Sequence, residues 1–394
     1  VIASSEKTEG RLTIRFQVSK PVLAGRERHY VLDAVDSGWI SSTGAYIGAF
    51  ERAVGRAVGI EDGISVCNGT VALHLACLVL GLRSGQEVIV PSLTYVATAN
   101  CVTYCGAKPV MADCDPRTWN LTAEAIEPLI NSRTAGVIAV HLYGLPCPIA
   151  EISELCRQRG LWLIEDCAES LGATVEGRPT GSFGDAATFS FYGNKTISTG
   201  EGGMLFLRDP SRRVVARMLR GQGMDPKRRY FHPIVGYNYR MTNVVAAIGL
   251  GQVEQLDYHL GERRRIAASY HRGLASIEAE GLVMLPAQLN GFESSCWLFS
   301  LVLRGGGPNR RARIMAQLER ECGIETRPFF MPMHKLPMYR SDLVLANAEF
   351  LGDHGINLPT YSGLTDAEVA DISEAICHTV ASDVPAECML RLAR

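Results

Sequence analysis

No apolar run in this 394-residue chain approaches the roughly 20 residues that cross a bilayer as a helix. The opening VIASSEKTEGR has no apolar segment of signal-peptide type, so the cytoplasm is the expected compartment. Net charge is nearly absent: 39 Lys and Arg against 41 Asp and Glu leave −2 at neutral pH. Without a basic field, nucleic acid and an anionic membrane are not expected partners. C-x-x-C pairs are missing too. The 12 cysteines lie scattered, many among apolar neighbours such as ALHLACLVL. That is the pattern of small buried hydrophobes in a reducing compartment, not of a disulfide framework, a zinc centre or an iron–sulfur cluster. No metal is expected. Internal repeats and low-complexity segments are absent.

What is present is alternation of apolar, strand-like runs with helix-length segments, the mark of an α/β fold. The first twenty residues are polar and read as a loose tail. Thereafter GTVALHLACLVLGL (69–82) reads as a helix, EVIVP (87–91) as a buried strand and 92–106 as a helix. Strands follow at 107–113, 135–144 and 161–169, with helices at 121–130, capped by Thr122, and at 149–160. Such order predicts a mostly parallel sheet covered on both faces, with functional groups at the carboxyl ends of its strands. From 243 one long amphipathic pattern suits a helix linking two domains. The segments CWLFSLVL, NRRARIMAQLEREC and GIETRPF then predict strand, helix and strand of a smaller α+β domain. The expected division is a tail over 1–20, a large domain over 21–255, and a linking helix with the small domain over 256–394.

Within FSFYGNKTISTGEGG (189–203), Lys195 follows an aromatic strand and precedes a glycine-rich loop. A desolvated lysine amine has a lowered pKa and can form a Schiff base with an aldehyde such as pyridoxal phosphate. That use needs an anion facing the ring nitrogen, a phosphate cup and an aromatic plane over the ring. Asp166 ends the strand LWLIED, 29 residues before Lys195. Asn68-Gly69-Thr70 opens a helix, where free amides and the dipole favour a phosphate. Ser190 lies five residues before the lysine, and Tyr95 follows the strand EVIVP. Each has an ordinary structural reading when taken alone: strand end, turn and cap, strand hydroxyl, core aromatic.

Together NGTVALHLA, EVIVPSLTYVATAN, HLYG, IEDCAESLGA, FSFYGNKTISTGEGGM and GYNYRMTN resemble the DegT/DnrJ/EryC1/StrS sugar aminotransferases. The resemblance runs from about Pro21 to about residue 375. It implies the aspartate-aminotransferase fold (fold type I), with pyridoxal 5'-phosphate bound covalently to Lys195. Lys195 would also move the proton. Asp166 would bind the pyridine nitrogen, and Glu169, where many relatives carry Gln or His, would approach the ring hydroxyl. Gly69, Thr70 and Ser190 would hold the phosphate, Tyr95 would stack on the ring, and Asn238 would reach the phosphate from a neighbouring subunit. A homodimer with composite active sites follows from the last point.

Further blocks, SGWISSTGAYIGAFE, RRYFHPIVGYNYRMTN and ETRPFFMPMHKLPMY, resemble family members that aminate a GDP-linked 4-keto-6-deoxymannose with L-glutamate as donor. By this likeness Arg240 and His334 are candidates for substrate or donor contacts. The alternatives are packing within its loop for His334, and pairing with an acid across the dimer interface for Arg240. Amination of a dTDP- or UDP-linked keto sugar at C3 or C4, or of a cyclitol, shares all the cofactor motifs. A dehydratase on this fold resembles one with histidine in place of the lysine, and a non-catalytic regulator would not need the full set. The presence of Lys195 with Asp166 and Ser190 favours the aminotransferase over both.

Overall fold

A computed structural model of the chain describes residues 13–383. Its centre is a seven-stranded sheet built from β1 (Ile64–Val66), β2 (Glu87–Pro91), β3 (Lys108–Ala112), β4 (Thr134–Val140), β5 (Trp162–Asp166), β6 (Ala186–Ser190) and β7 (Gly203–Leu207). The spatial order is β1-β7-β6-β5-β4-β2-β3. Pairs β3–β2, β2–β4, β4–β5 and β5–β6 are parallel, while β7 runs antiparallel to both β6 and β1. Helices pack on both faces, so the inner strands are largely apolar; every residue of β2 and β7 is buried.

This topology sets up one end of the sheet. Asp166 is the last residue of β5 and pairs with Thr188 of β6. The turn back into antiparallel β7 falls at the same end and carries Lys195. The helix Gly69–Val79 follows β1, with the Asn68 side chain accepting the amide of Val71 as its cap.

The small domain is a four-stranded antiparallel sheet of β8 (Val283–Met284), β9 (Ser300–Leu303), β10 (Arg327–Pro328) and β11 (Gly355–Asn357), in the order β8-β9-β11-β10. The helices Leu256–Gly273, Gly307–Cys322 and Asp366–Ser382 supply Ile266, Ile314, Leu318 and Ile372 to its core.

Several expectations are corrected. The tail is not loose over all twenty residues: Phe16 pairs with Ile324 and is buried in the small-domain core, and Val18 is fully buried. The apolar alternation Ile14-Phe16-Val18 is what seats it. The pattern from 243 is two helices, Asn243–Val253 and Leu256–Gly273, broken at Glu254 and Gln255. Glu254 there takes the guanidinium of Arg26 and the hydroxyl of Tyr30. The helix expected over 92–106 begins only at Ala97, after a bend over residues 92–94. The helix 121–130 is one α-turn, Ala123–Ile126, then a 3₁₀ turn; Thr122 caps it through the amide of Ala125. Strands expected at 135–144 and 161–169 stop at Val140 and Asp166.

Eleven of the cysteines are free, and Cys388 lies outside the described residues. Among the described residues, no helix is long and apolar enough to cross a membrane.

Candidate active site

At the carboxyl ends of β5 and β6 opens a cavity of about 430 Å³. Its phosphate-sized end lies where the first turn of helix Gly69–Val79 meets β6. A Cβ on Gly69 would stand 2.8 Å from Cβ of Ser190, and one on Gly203 would stand 2.5 Å from the carbonyl of Asn68. Only glycines allow this approach. It brings the Ser190 hydroxyl to the helix start, where the amides of Gly69 and Thr70 have no acceptor within the helix. Two backbone amides, a hydroxyl and a dipole converge on one anion-sized space.

Across the cavity, Asp166 is 5% exposed. Its Oδ2 accepts from Thr98 Oγ1 at 3.0 Å and its Oδ1 from the Ala168 amide at 3.1 Å. Burial pushes this carboxyl up, against the pull of those donors and of Lys195. A cationic ring nitrogen is the partner such a carboxylate lacks.

Glu169, also buried, accepts the Tyr143 amide at 2.7 Å and lies 3.7 Å from Lys195 Nζ. Burial raises its carboxyl to about 7, with Lys195 opposing. Burial in turn lowers the amine of Lys195, which Glu169 and Asp166 partly offset. The ammonium stands 3.8 Å from the ring centroid of Trp297. The Trp297 indole donates to the Asn194 carbonyl at 2.7 Å, pinning the lysine loop to the small domain. At the mouth, Tyr95 is 57% exposed and its ring lies 5.8 Å from that of Phe330.

Two buried side-chain oxygens on the wall, Thr188 Oγ1 and Asn194 Oδ1, have no partner among the described residues. Buried polar atoms normally find one, so these await a ligand. Anion cup, lone amine, buried carboxylate and orphaned oxygens together fit pyridoxal phosphate.

Of the residues singled out in the sequence, Gly69, Thr70, Tyr95, Asp166, Glu169, Ser190 and Lys195 line this one cavity. Three do not. Asn238 is exposed and pairs with Gly221. Arg240 pairs with Val66 through its backbone, and its Nε is buried without a partner among the described residues. The Tyr239 carbonyl between them accepts the Cys67 amide, so this segment runs beside the phosphate cup. His334 is fully buried: Nδ1 lies 2.7 Å from Ser92 Oγ and Nε2 lies 3.0 Å from Glu349. With both nitrogens bonded, its geometry is that of a packed loop residue.

Sequence reasoning did not single out Thr98, Thr188, Asn194, Trp297 or Phe330. Asn194 sits within the Lys195 block and Thr188 immediately before it, so both were within reach. Trp297 and Phe330 come from the other domain and carry no local signal. A separate buried trio, His141, Glu165 and Cys167, has possible ligand atoms within 4.8 Å of one another. Protein groups occupy two of them: Glu165 accepts the amides of Gly181, Phe183 and Gly184, and His141 Nδ1 accepts that of Cys147.

Residues 21–377 match the DegT/DnrJ/EryC1/StrS aminotransferase family. A GDP-perosamine synthase of Caulobacter vibrioides is 48% identical over 366 residues, covering 92% of this chain and 97% of that protein. One from Escherichia coli O157:H7 is 43% identical over 360 residues, covering 91% and 97%. Among solved structures, Spr1654 of Streptococcus pneumoniae in its PLP form superposes with a TM-score of 0.88 at 26% identity, covering 95% of this chain and 100% of that one.

Proposed function

The chain belongs to the DegT/DnrJ/EryC1/StrS aminotransferase family, and from that premise we propose that it moves the amino group of L-glutamate onto GDP-4-keto-6-deoxy-D-mannose, forming GDP-perosamine. The observation that carries this reading is 43–48% identity, over nearly the full length, to two GDP-perosamine synthases; one cavity lined by Gly69, Thr70, Tyr95, Asp166, Glu169, Ser190 and Lys195 supports it. It is a pyridoxal-phosphate-dependent transaminase, and the covalent attachment point in this reading is Lys195.

When bound, the cofactor supplies an electron sink that makes the proton on the nitrogen-bearing carbon removable. Lys195 Nζ would take that proton and return it one position away, in each half of the reaction. Its lowered pKa leaves a larger share of free amine near neutrality, as a general base requires. Asp166, fixed by Thr98 and Ala168, would hold a positive charge on the ring nitrogen, and Glu169 would face the ring hydroxyl. Gly69, Thr70 and Ser190 would grip the phosphate, and Tyr95, at the mouth, would cover a ring face. Asn238, exposed on a segment alongside the cup, reaches the phosphate of a neighbouring subunit, so the working unit is a homodimer with composite sites. Arg240 on the same segment contacts substrate or donor.

The test is a panel. Enzyme converted to its amino form with glutamate, then freed of glutamate, is offered GDP-, dTDP- and UDP-linked keto sugars and a keto cyclitol. Recovery of the original spectrum with GDP-4-keto-6-deoxy-D-mannose supports the assignment. Recovery only with a dTDP- or UDP-linked sugar, or a cyclitol, rejects the substrate and keeps the class.

A further inference from the structure

Behind the lysine loop lies a second, far smaller cavity, of about 10 Å³, walled by Lys20, Lys195, Gln252, His259, Arg263 and Ser362 among others. It has room for one water-sized occupant. Its lining residues include two lysines and an arginine but no aspartate or glutamate; the Lys195 amine itself points into the main cavity.

Arg263 is 2% exposed, and arginine is almost never so buried unless paired. Here its partners are carbonyls only. Nη1 donates to Trp297 O at 2.7 Å and Thr360 O at 2.8 Å, and Nη2 donates to Lys195 O at 3.4 Å. Its Nε–H is buried with no partner among the described residues. His259, equally buried, has Nδ1 at 2.8 Å from the Ser362 hydroxyl, and its Nε2 is a second buried atom without a partner. With the hydroxyl donating to Nδ1, Nε2 carries the proton and is a donor. The carboxylate that acts on His259, Glu27, is already engaged by the Gly25 amide and the Gln252 side chain.

Two orphaned donors and a buried guanidinium thus share one small space. A water would satisfy the donors but leave the charge uncompensated; an anion does both. We propose that this cavity binds a single small monovalent anion of the halide type, held by Arg263 Nε–H and His259 Nε2–H. Chloride is only slightly larger than water and donates nothing, as the site requires. The bound anion steadies the guanidinium that ties the carbonyl of Lys195 to those of Trp297 and Thr360, so it braces the lysine loop against the small domain from behind.

Crystals of the cofactor-loaded protein soaked in sodium bromide and measured at the bromine edge should show an anomalous peak beside Arg263 Nε and His259 Nε2. In solution, replacing gluconate with chloride at constant ionic strength should raise the thermal unfolding midpoint by about 2 °C or more. His259→Leu should lose that rise. Should His259→Leu fail to fold, Ser362→Ala, which frees Nδ1 to take the proton, should weaken it. A water in place of bromide overturns the proposal. So does a bromide peak with a midpoint indifferent to chloride, which marks binding at crystal concentration only. A full chloride response in the folded His259→Leu variant overturns it as well.

Discussion

The ammonium nitrogen of Lys195 rests 3.8 Å from the centre of the Trp297 ring, so the large domain's amine packs against a side chain from the approach to the small-domain sheet. Glu169 stands 3.7 Å from the same nitrogen. One neighbour steadies the cation through a ring face, the other through a carboxylate, and both keep the amine inside the cavity.

Once Lys195 has taken a proton the ring stabilises the ammonium that results, so removing it should slow the chemistry more than it empties the site. A desolvated cation–π contact is worth about 2 kcal/mol. Trp297→Leu should slow conversion by glutamate about tenfold or more, with cofactor content unchanged. Trp297→Phe, which keeps a ring but loses the bond to the Asn194 carbonyl, should stay within about threefold. Stopped-flow absorbance with a cofactor assay separates the two effects; a purely structural tryptophan would lower rate and content together.

The closeness of strand and helix at the phosphate cup makes a sharper claim. A Cβ at Gly203 meets backbone at 2.5 Å, while one at Gly193 meets nothing within 4 Å. Gly203→Ala should weaken cofactor retention at least tenfold on dialysis and cost about 1–3 kcal/mol of stability. Gly193→Ala, in the loop before that strand, should do neither.

Glu169 gives the cofactor-free protein a pH signature. Its folded pKa, about 7, exceeds the ordinary carboxylate value, so the folded chain holds a proton that the unfolded chain has released. Its contribution to stability is full below about pH 4.5, falls as pH rises, and is lost above about 7. The difference in unfolding free energy between the wild type and Glu169→Gln should therefore shift between those limits by on the order of 2 kcal/mol, and be flat beyond them. Chemical denaturation at pH 4.5, 6, 7 and 8 measures it; a difference that does not vary with pH contradicts the assignment.

Most residues of the candidate cavity were legible because they sit at strand ends and turns, where local patterns speak. Asp166 ends an apolar run, Asn68-Gly69-Thr70 opens a helix, and Lys195 stands before a glycine-rich loop. The strand Glu87–Pro91 lies where EVIVP placed it. Trp297 was not legible, since it reaches Lys195 only through the packing of one domain on the other. Nor was the break at Glu254, which depends on Arg26 and Tyr30 from a distant helix. His334 and Arg240 were chosen by likeness in loops, and loops owe their side-chain directions to neighbours that sequence periodicity does not name.

In the proposed reaction Lys195 carries the cofactor and moves the proton. The most direct measurement is the absorbance of the cofactor-loaded protein as L-glutamate alone is added. Wild-type protein should start yellow and bleach, and Lys195→Ala, folded to the same thermal midpoint within a few degrees, should not turn over. A wild-type spectrum that glutamate leaves unmoved, or sustained amino transfer by Lys195→Ala, would contradict the account.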